Sequence, residues 1–245
     1  MIPKVIHYIW LGGKPEPTSV LMMINSWRRH LPDYKIVKWD ESNIPIEKLR
    51  KENKFFDKCC KYNLYAFMSD YLRLWILYNY GGIYMDTDVE VVKSFDPLLN
   101  NKGFIGYEKG NSEYGEFIGT GVIGAIPQNK TIYKLLDFYN EDIWREREYI
   151  NTIIMKKSYL KNKELFSYLK IYEREFFSPF SPYDGECNNL VDKENTYTIH
   201  WYSKNWGISR KGYGFISTKY IKNPLKRFLF KLRRNISYLI KNGRV

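Results

Sequence analysis

The chain has 245 residues, 44% hydrophobic and 18% aromatic, with 39 Lys and Arg against 27 Asp and Glu for a net charge of +12. This length and composition fit one domain with a substantial core and exclude a disordered polyelectrolyte. Residues 195–245 hold twelve of the basic groups and no Asp or Glu, so residues 1–194 are neutral and no nucleic-acid groove is expected in them.

Residues 5–10, Val-Ile-His-Tyr-Ile-Trp, are β-branched and aromatic and end in Gly12-Gly13, which predicts a strand and a turn. Residues 19–30 read as a helix with Leu21, Ile24 and Trp27 on its buried side. A second strand over 34–39 stops at Asp40-Glu41-Ser42-Asn43. Residues 63–80 form the clearest helix: Leu64, Phe67, Met68, Tyr71, Leu72, Trp75 and Tyr78 recur at three and four, and Gly81-Gly82 ends it. Short strands are expected over 83–85, 89–92, 104–107 and 119–126, and helix over 131–139 and much of 142–170. Strands alternating with helices predict an α/β fold with a largely parallel sheet, in which ligands sit at the carboxyl ends of strands. Trp10–Gly13, Asp40–Asn43 and Asp86–Asp88 all lie at such ends.

Cys59, Cys60 and Cys187 are too few and too poorly spaced for a disulfide framework or a zinc cluster, which fits a reducing cytosol. No signal peptide is read at the start. No run of about 18 apolar residues exists, because Asp70 and Arg73 interrupt the best candidate.

Asp86 and Asp88 are two apart, so in an extended chain both carboxylates project to one side and suit Mg²⁺ or Mn²⁺. Alone, the triplet reads equally as a solvated turn. Asp70 and Arg73 lie one helix upstream, three apart and therefore on one helical face, where an intrahelical salt bridge is the bland alternative.

Together, Ala66-Phe67-Met68-Ser69-Asp70-Tyr71-Leu72-Arg73 and Gly81-Gly82-Ile83-Tyr84-Met85-Asp86-Thr87-Asp88 resemble a known signature. It is the sugar-binding Asp-x-Asp region of glycosyltransferases related to yeast α-1,6-mannosyltransferase, bacterial capsular polysaccharide transferases and the large clostridial glucosylating toxins. Residues 2–13 are similar to that family's opening strand. His200-Trp201-Tyr202-Ser203-Lys204-Asn205-Trp206 resembles its late His…Ser-Trp segment, with Asn205 where Ser is usual.

The resemblance implies a GT-A fold, with a mixed, largely parallel sheet flanked by helices, and anomer-retaining transfer from a nucleotide sugar. By position, Trp10 would stack on the base and Asn43 would hydrogen-bond the base or ribose. Ser69 would contact the ribose, and Asp70 and Arg73 would hold the donor sugar and phosphate beside Tyr84. Asp88 and Asp86 would bind Mn²⁺ or Mg²⁺, with His200 completing the metal site. Asn205 and Trp206 would close over the diphosphate. Asp70, Arg73, Asp86 and Asp88 are the expected catalytic residues.

Two motifs are set aside. Gly119-Thr120-Gly121-Val122-Ile123-Gly124 matches the dinucleotide pattern, but a helix would have to begin within it, Pro127 opposes that, and residues 111–117 read as loop rather than an opening strand. His7, alone in a strand, reads as a satisfied core residue.

From residue 224, Leu225, Phe228, Leu229, Leu232, Ile236, Leu239 and Ile240 share one helical face, and Lys226, Arg227, Lys231, Arg233, Arg234 and Lys241 occupy most of the rest. Such a basic amphipathic helix suits an anionic membrane surface. The expected organisation is a glycosyltransferase domain over 1–223, with a helical acceptor-side insertion at about 142–175, and a membrane-association helix over 224–245. The expected role is hexose transfer from a UDP-hexose, or alternatively GDP-mannose, to a lipid-linked glycan acceptor in capsule or surface polysaccharide synthesis, on the cytoplasmic face of the membrane. The competing readings are a nucleotide-sugar hydrolase and a non-catalytic membrane- or nucleic-acid-binding protein.

Overall fold

The computed structural model describes residues 1–146, 149–179, 191, 194–203 and 223–242. In chain order the elements are β1 (Val5–Ile9), α1 (Thr18–His30), β2 (Lys35–Trp39), α2 (Ile46–Glu52), α3 (Lys54–Lys61), α4 (Tyr65–Tyr80), β3 (Gly82–Met85), β4 (Val89–Val91), β5 (Gly103–Asn111), β6 (Gly115–Ile118) and β7 (Val122–Ala125). They continue with α5 (Lys130–Phe138), α6 (Asn151–Lys161), β8 (Lys170–Tyr172), α7 (Arg174–Phe177), β9 (Thr198–His200) and α8 (Pro224–Asn242). Single 3₁₀ turns stand at Asp96–Leu98, Asp142–Arg145 and Lys163–Phe166.

The main sheet has seven strands in the order β2-β1-β3-β7-β5-β6, with β8 also pairing β5. β1 pairs β2 and β3 in parallel, and β8 is parallel to β5, while β7 and β6 run against their neighbours. The expected mixed, largely parallel α/β architecture is what the chain adopts. Because β7 is antiparallel to β3, its start meets the carboxyl end of β3, where the Asp86 amide donates to the Gly121 carbonyl at 2.8 Å. A separate two-stranded ladder, β4 with β9, sets Val89 opposite His200.

Local chemistry explains the element ends. Asn53 caps α3 by accepting from the Phe56 amide at 2.7 Å, and its amide group reaches the Tyr139 carbonyl, tying α3 to the end of α5. Asn129 caps α5 in the same way, accepting from the amides of Thr131 and Ile132. At the α4–β3 junction Gly82 has φ +91°, and a side chain there would stand 2.9 Å from the His7 ring. That ring is buried, bonded to the Gly81 carbonyl through Nε2 and accepting from the Trp39 indole at Nδ1, both at 3.0 Å. His7 is thus the satisfied core residue expected.

Three expectations need correction. In α1 the buried face is Val20, Ile24 and Trp27, and Leu21 is exposed, because spacing of four then three, counted from Val20, meets the sheet. Residues 111–117 are not simple loop: β5 and β6 form a hairpin across them. A strand thus does precede the dinucleotide pattern, but the pattern still fails, since Gly121 lies just before the antiparallel strand β7 and not at a helix start. Within 142–170 the helical content is interrupted, and Lys170 already belongs to β8, which extends the main sheet.

Candidate active site

Helix α4 is apolar on almost every side, and two of its polar residues are buried with it: Ser69, 4% exposed, and Arg73, 5%. Arg73 is correspondingly well partnered. It makes an ion pair with Asp70 at 2.8 Å and with Asp86 at 3.4 Å, donates to the Thr120 carbonyl at 2.7 Å, and stacks its guanidinium 4.7 Å from the Tyr84 ring centroid. Burial opposes the charge, yet Asp86, Tyr84 and Asp70 outweigh it and hold the guanidinium above its ordinary value. Burial also raises the Asp70 carboxyl to about 6, against the pull of Arg73 and of the Asn151 amide that donates to it at 2.9 Å. The Tyr84 hydroxyl donates to Asp86 at 2.7 Å and accepts from Ser69 at 3.0 Å, so the strand and the helix share one hydrogen-bonded chain.

Asp86, Asp88 and His200 present ligand atoms that all lie within 4.8 Å of one another. His200 Nε2 is 3.3 Å from Asp88, and its Nδ1 is buried without a hydrogen-bond partner. Burial opposes a proton on His200, but the Asp88 hydrogen bond and charge raise its pKa. An imidazole and two carboxylates, with one ring nitrogen unsatisfied, form a donor set that fits Mn²⁺ or Mg²⁺. Gly121 keeps the approach open, since a side chain there would stand 3.3 Å from Asp86 and 3.4 Å from His200.

Two adjoining hollows open here. One, of about 200 Å³, is lined by Ile9, Ser69, Tyr84, Thr87, Asp88 and Ser203 among others. The second, of about 310 Å³, is lined by Glu108, Thr120, Tyr149 and Asn151 among others. Asp70, Arg73, Asp86 and His200 border both.

The structure therefore brings together Ser69, Asp70, Arg73, Tyr84, Asp86, Asp88 and His200. Trp10 lies one residue beyond Ile9, 8% exposed in an apolar cluster, its indole donating to the Lys14 carbonyl at 2.6 Å. Asn43 is spent on its own loop, donating to the Lys38 carbonyl and accepting from the Asp40 amide. Asn205 and Trp206 lie outside the described residues. Sequence reasoning missed Glu108 and Asn151; neither stands in a motif, and only the β5 strand and the start of α6 carry them here.

The fold is of the GT-A type, with Asp86 at the carboxyl end of β3 and His200 brought beside it on β9. Residues 17–105 match the family described as "Glycosyltransferase sugar-binding region containing DXD motif", so the chain carries that region, as its motifs implied. Inositol phosphoceramide mannosyltransferase 1 of Schizosaccharomyces pombe is 36% identical over 108 residues, 42% of this chain and 33% of that protein. The chain thus matches about a third of that relative's length. An uncharacterised glycosyltransferase of Acanthamoeba polyphaga mimivirus is 26% identical over 206 residues, 81% of this chain and 78% of its own. Among solved structures, the PaToxG glycosyltransferase superposes with a TM-score of 0.51 at 22% identity, covering 68% of this chain and 73% of that one, which is a likeness of fold.

Proposed function

We propose that this protein is a metal-dependent, retaining glycosyltransferase that moves a hexose from a nucleotide sugar to a glycan acceptor. The observation that carries the reading is the convergence of Asp70, Arg73, Asp86, Asp88 and His200 on one pair of hollows. Transfer leaves negative charge on the departing diphosphate and positive charge at the anomeric carbon. Arg73, fixed by its neighbours, offers planar donors to the donor's phosphate or sugar, and Asp70 orients the sugar hydroxyls. Asp86, Asp88 and His200 would hold a divalent cation, which when bound neutralises the leaving group. We take the attack to come from the face the diphosphate leaves, with the acceptor's proton passing to it.

A UDP-hexose is the favoured donor. GDP-mannose is the second reading, supported by the likeness to the fission-yeast inositol phosphoceramide mannosyltransferase. That relative's inositol phosphoceramide acceptor supports a lipid-linked acceptor here. Among the described residues no helix is long and apolar enough to cross a membrane. In α8 Leu225, Phe228, Leu229, Leu232 and Ile236 are exposed, and we assign that helix to an anionic membrane surface, on the cytoplasmic side and in surface polysaccharide synthesis.

A thermal-shift panel of UDP, GDP and their sugars, with and without Mn²⁺, tests the site. A ligand at 100 times its Kd stabilises by about 2.7 kcal/mol. Metal-dependent stabilisation by one nucleotide family, lost in Asp88→Ala, is the expected outcome; no stabilisation by any of them overturns the reading.

A further inference from the structure

The second hollow contains groups that the donor does not use. Glu108 projects into it from β5, 7% exposed, and Thr152 at the start of α6 lines the same hollow. Room for that carboxyl comes from Gly119, where a side chain would stand 3.0 Å from Glu108 Oε2. Asn151, 6% exposed, gives its amide hydrogens to Asp70, while its carbonyl Oδ1 is buried with no hydrogen-bond partner. An unsatisfied buried acceptor costs about 1–3 kcal/mol, so a bound donor group is its natural complement. Two side chains that carry hydrogen-bond acceptors, both nine-tenths buried, line a cavity at the small end of ligand sites.

Burial pushes the Glu108 carboxyl up to about 7, with the His200 charge opposing. The hollow shares Asp70, Arg73, Asp86 and His200 with the donor side but reaches away from it toward α6. Hydroxyl-bearing ligands supply the donor that the Asn151 carbonyl lacks, whereas a fully ionised phosphate would bring it only acceptors.

Resting on the glycosyltransferase reading, we infer that this hollow is the acceptor subsite and that Glu108 and Asn151 bind the sugar hydroxyls of the acceptor, Glu108 holding the attacking one. The acceptor oxygen bonds to the anomeric carbon as the bond from that carbon to the diphosphate oxygen breaks. The electron pair leaves with the diphosphate, and the acceptor's proton passes to that departing oxygen. Glu108 accepts a hydrogen bond from the hydroxyl and ends the step unchanged. Water, which is not held by two such groups, competes poorly in the intact site.

The test is the ratio of transfer to hydrolysis, measured with UDP-glucose and GDP-mannose as donors and a mixture of methyl hexopyranosides as acceptors. Glu108→Ala is expected to lower the ratio about 10²-fold, as misplacement of a reacting group does. Glu108→Gln, which keeps a carbonyl acceptor, is expected to lose roughly tenfold, the value of one hydrogen bond. Thr152→Val, which removes a hydroxyl from the same hollow, tests the subsite should the Glu108 variants fold poorly, and it too is expected to lower the ratio. A variant that merely folds worse lowers transfer and hydrolysis together and leaves the ratio alone. An unchanged ratio in Glu108→Ala and Thr152→Val overturns the subsite while leaving donor turnover, and so the proposed function, standing. A sugar adduct trapped on Glu108 overturns it too, by making the residue a nucleophile. A wild-type protein that binds neither donor removes both readings together.

Discussion

Helices α4 and α8 are similar in length, 16 and 19 residues, and are built on opposite terms. α4 is enclosed by the sheet and by α3 and α5, so Asp70 and Arg73 are charges in a nearly dry place. α8 leaves Leu225, Phe228, Leu229, Leu232 and Ile236 exposed. A buried charge is fixed by the partners that justify it, and its uses are internal, such as gripping an anionic ligand. Exposed apolar surface has no partner inside the described fold, and its uses are external. On the proposed reading, chemistry belongs to α4 and location to α8.

The largest effect expected comes from removing the cation of α4. Arg73→Met leaves Asp70 and Asp86 facing each other without compensation, which typically costs about 3–5 kcal/mol, that is, roughly two to three and a half decades in the unfolding constant. Urea unfolding measures it. The double variant Asp70→Asn, Arg73→Met removes one of the stranded charges and should lose less than the single change. An additive or larger loss would break the claim that the helix's charges are held by each other.

His7 sharpens the point with a buried group that has no countercharge. Burial lowers its pKa to about 4, against an ordinary 6.5. Its Nδ1 accepts from Trp39, so a second ring proton would point at an N–H. Between pH 6.5 and pH 4 the unfolded chain binds the proton and the native chain does not, so stability is complete above the upper value and falls as pH is lowered. The whole window is worth roughly 3 kcal/mol. Unfolding free energies of the wild type and His7→Gln, followed from pH 7 to pH 4, should converge as the pH drops. Parallel curves would show that the ring is charged in the native state.

The two helices also mark what a sequence shows and hides. α4 was legible because Leu64, Phe67, Met68, Tyr71 and Leu72 repeat at helical spacing, and Asp70 and Arg73 break that pattern in the place where breaking it is costly. Asp86 and Asp88 were legible from their spacing beside a strand end. Glu108 and Asn151 were not. The Asn151–Asp70 bond joins residues 81 apart and depends on where α6 docks, which no local period encodes. The β5–β6 hairpin was missed for a related reason: its glycine-rich, charged strands pair at the sheet margin without alternating apolar residues. The face of α1 was misjudged by one residue because Val20 and Leu21 are equally apolar, and only the packing against β4 chooses between them.

The smallest effects belong to α8, where each contribution is screened or shared. A basic residue near an anionic surface contributes about 1 kcal/mol, so Lys226→Gln with Arg227→Gln should weaken binding to phosphatidylserine vesicles by roughly thirtyfold. That loss should fade as salt is raised, because the attraction falls off within a Debye length. Phe228→Ser should weaken the same binding with little salt dependence, since it removes apolar area instead of charge. Neither change should move the melting temperature of the body, whereas a helix docked on the domain would lower it when Phe228 is lost. If Phe228→Ser lowers the melting temperature and leaves vesicle binding intact, α8 is a second buried helix and the contrast with α4 disappears.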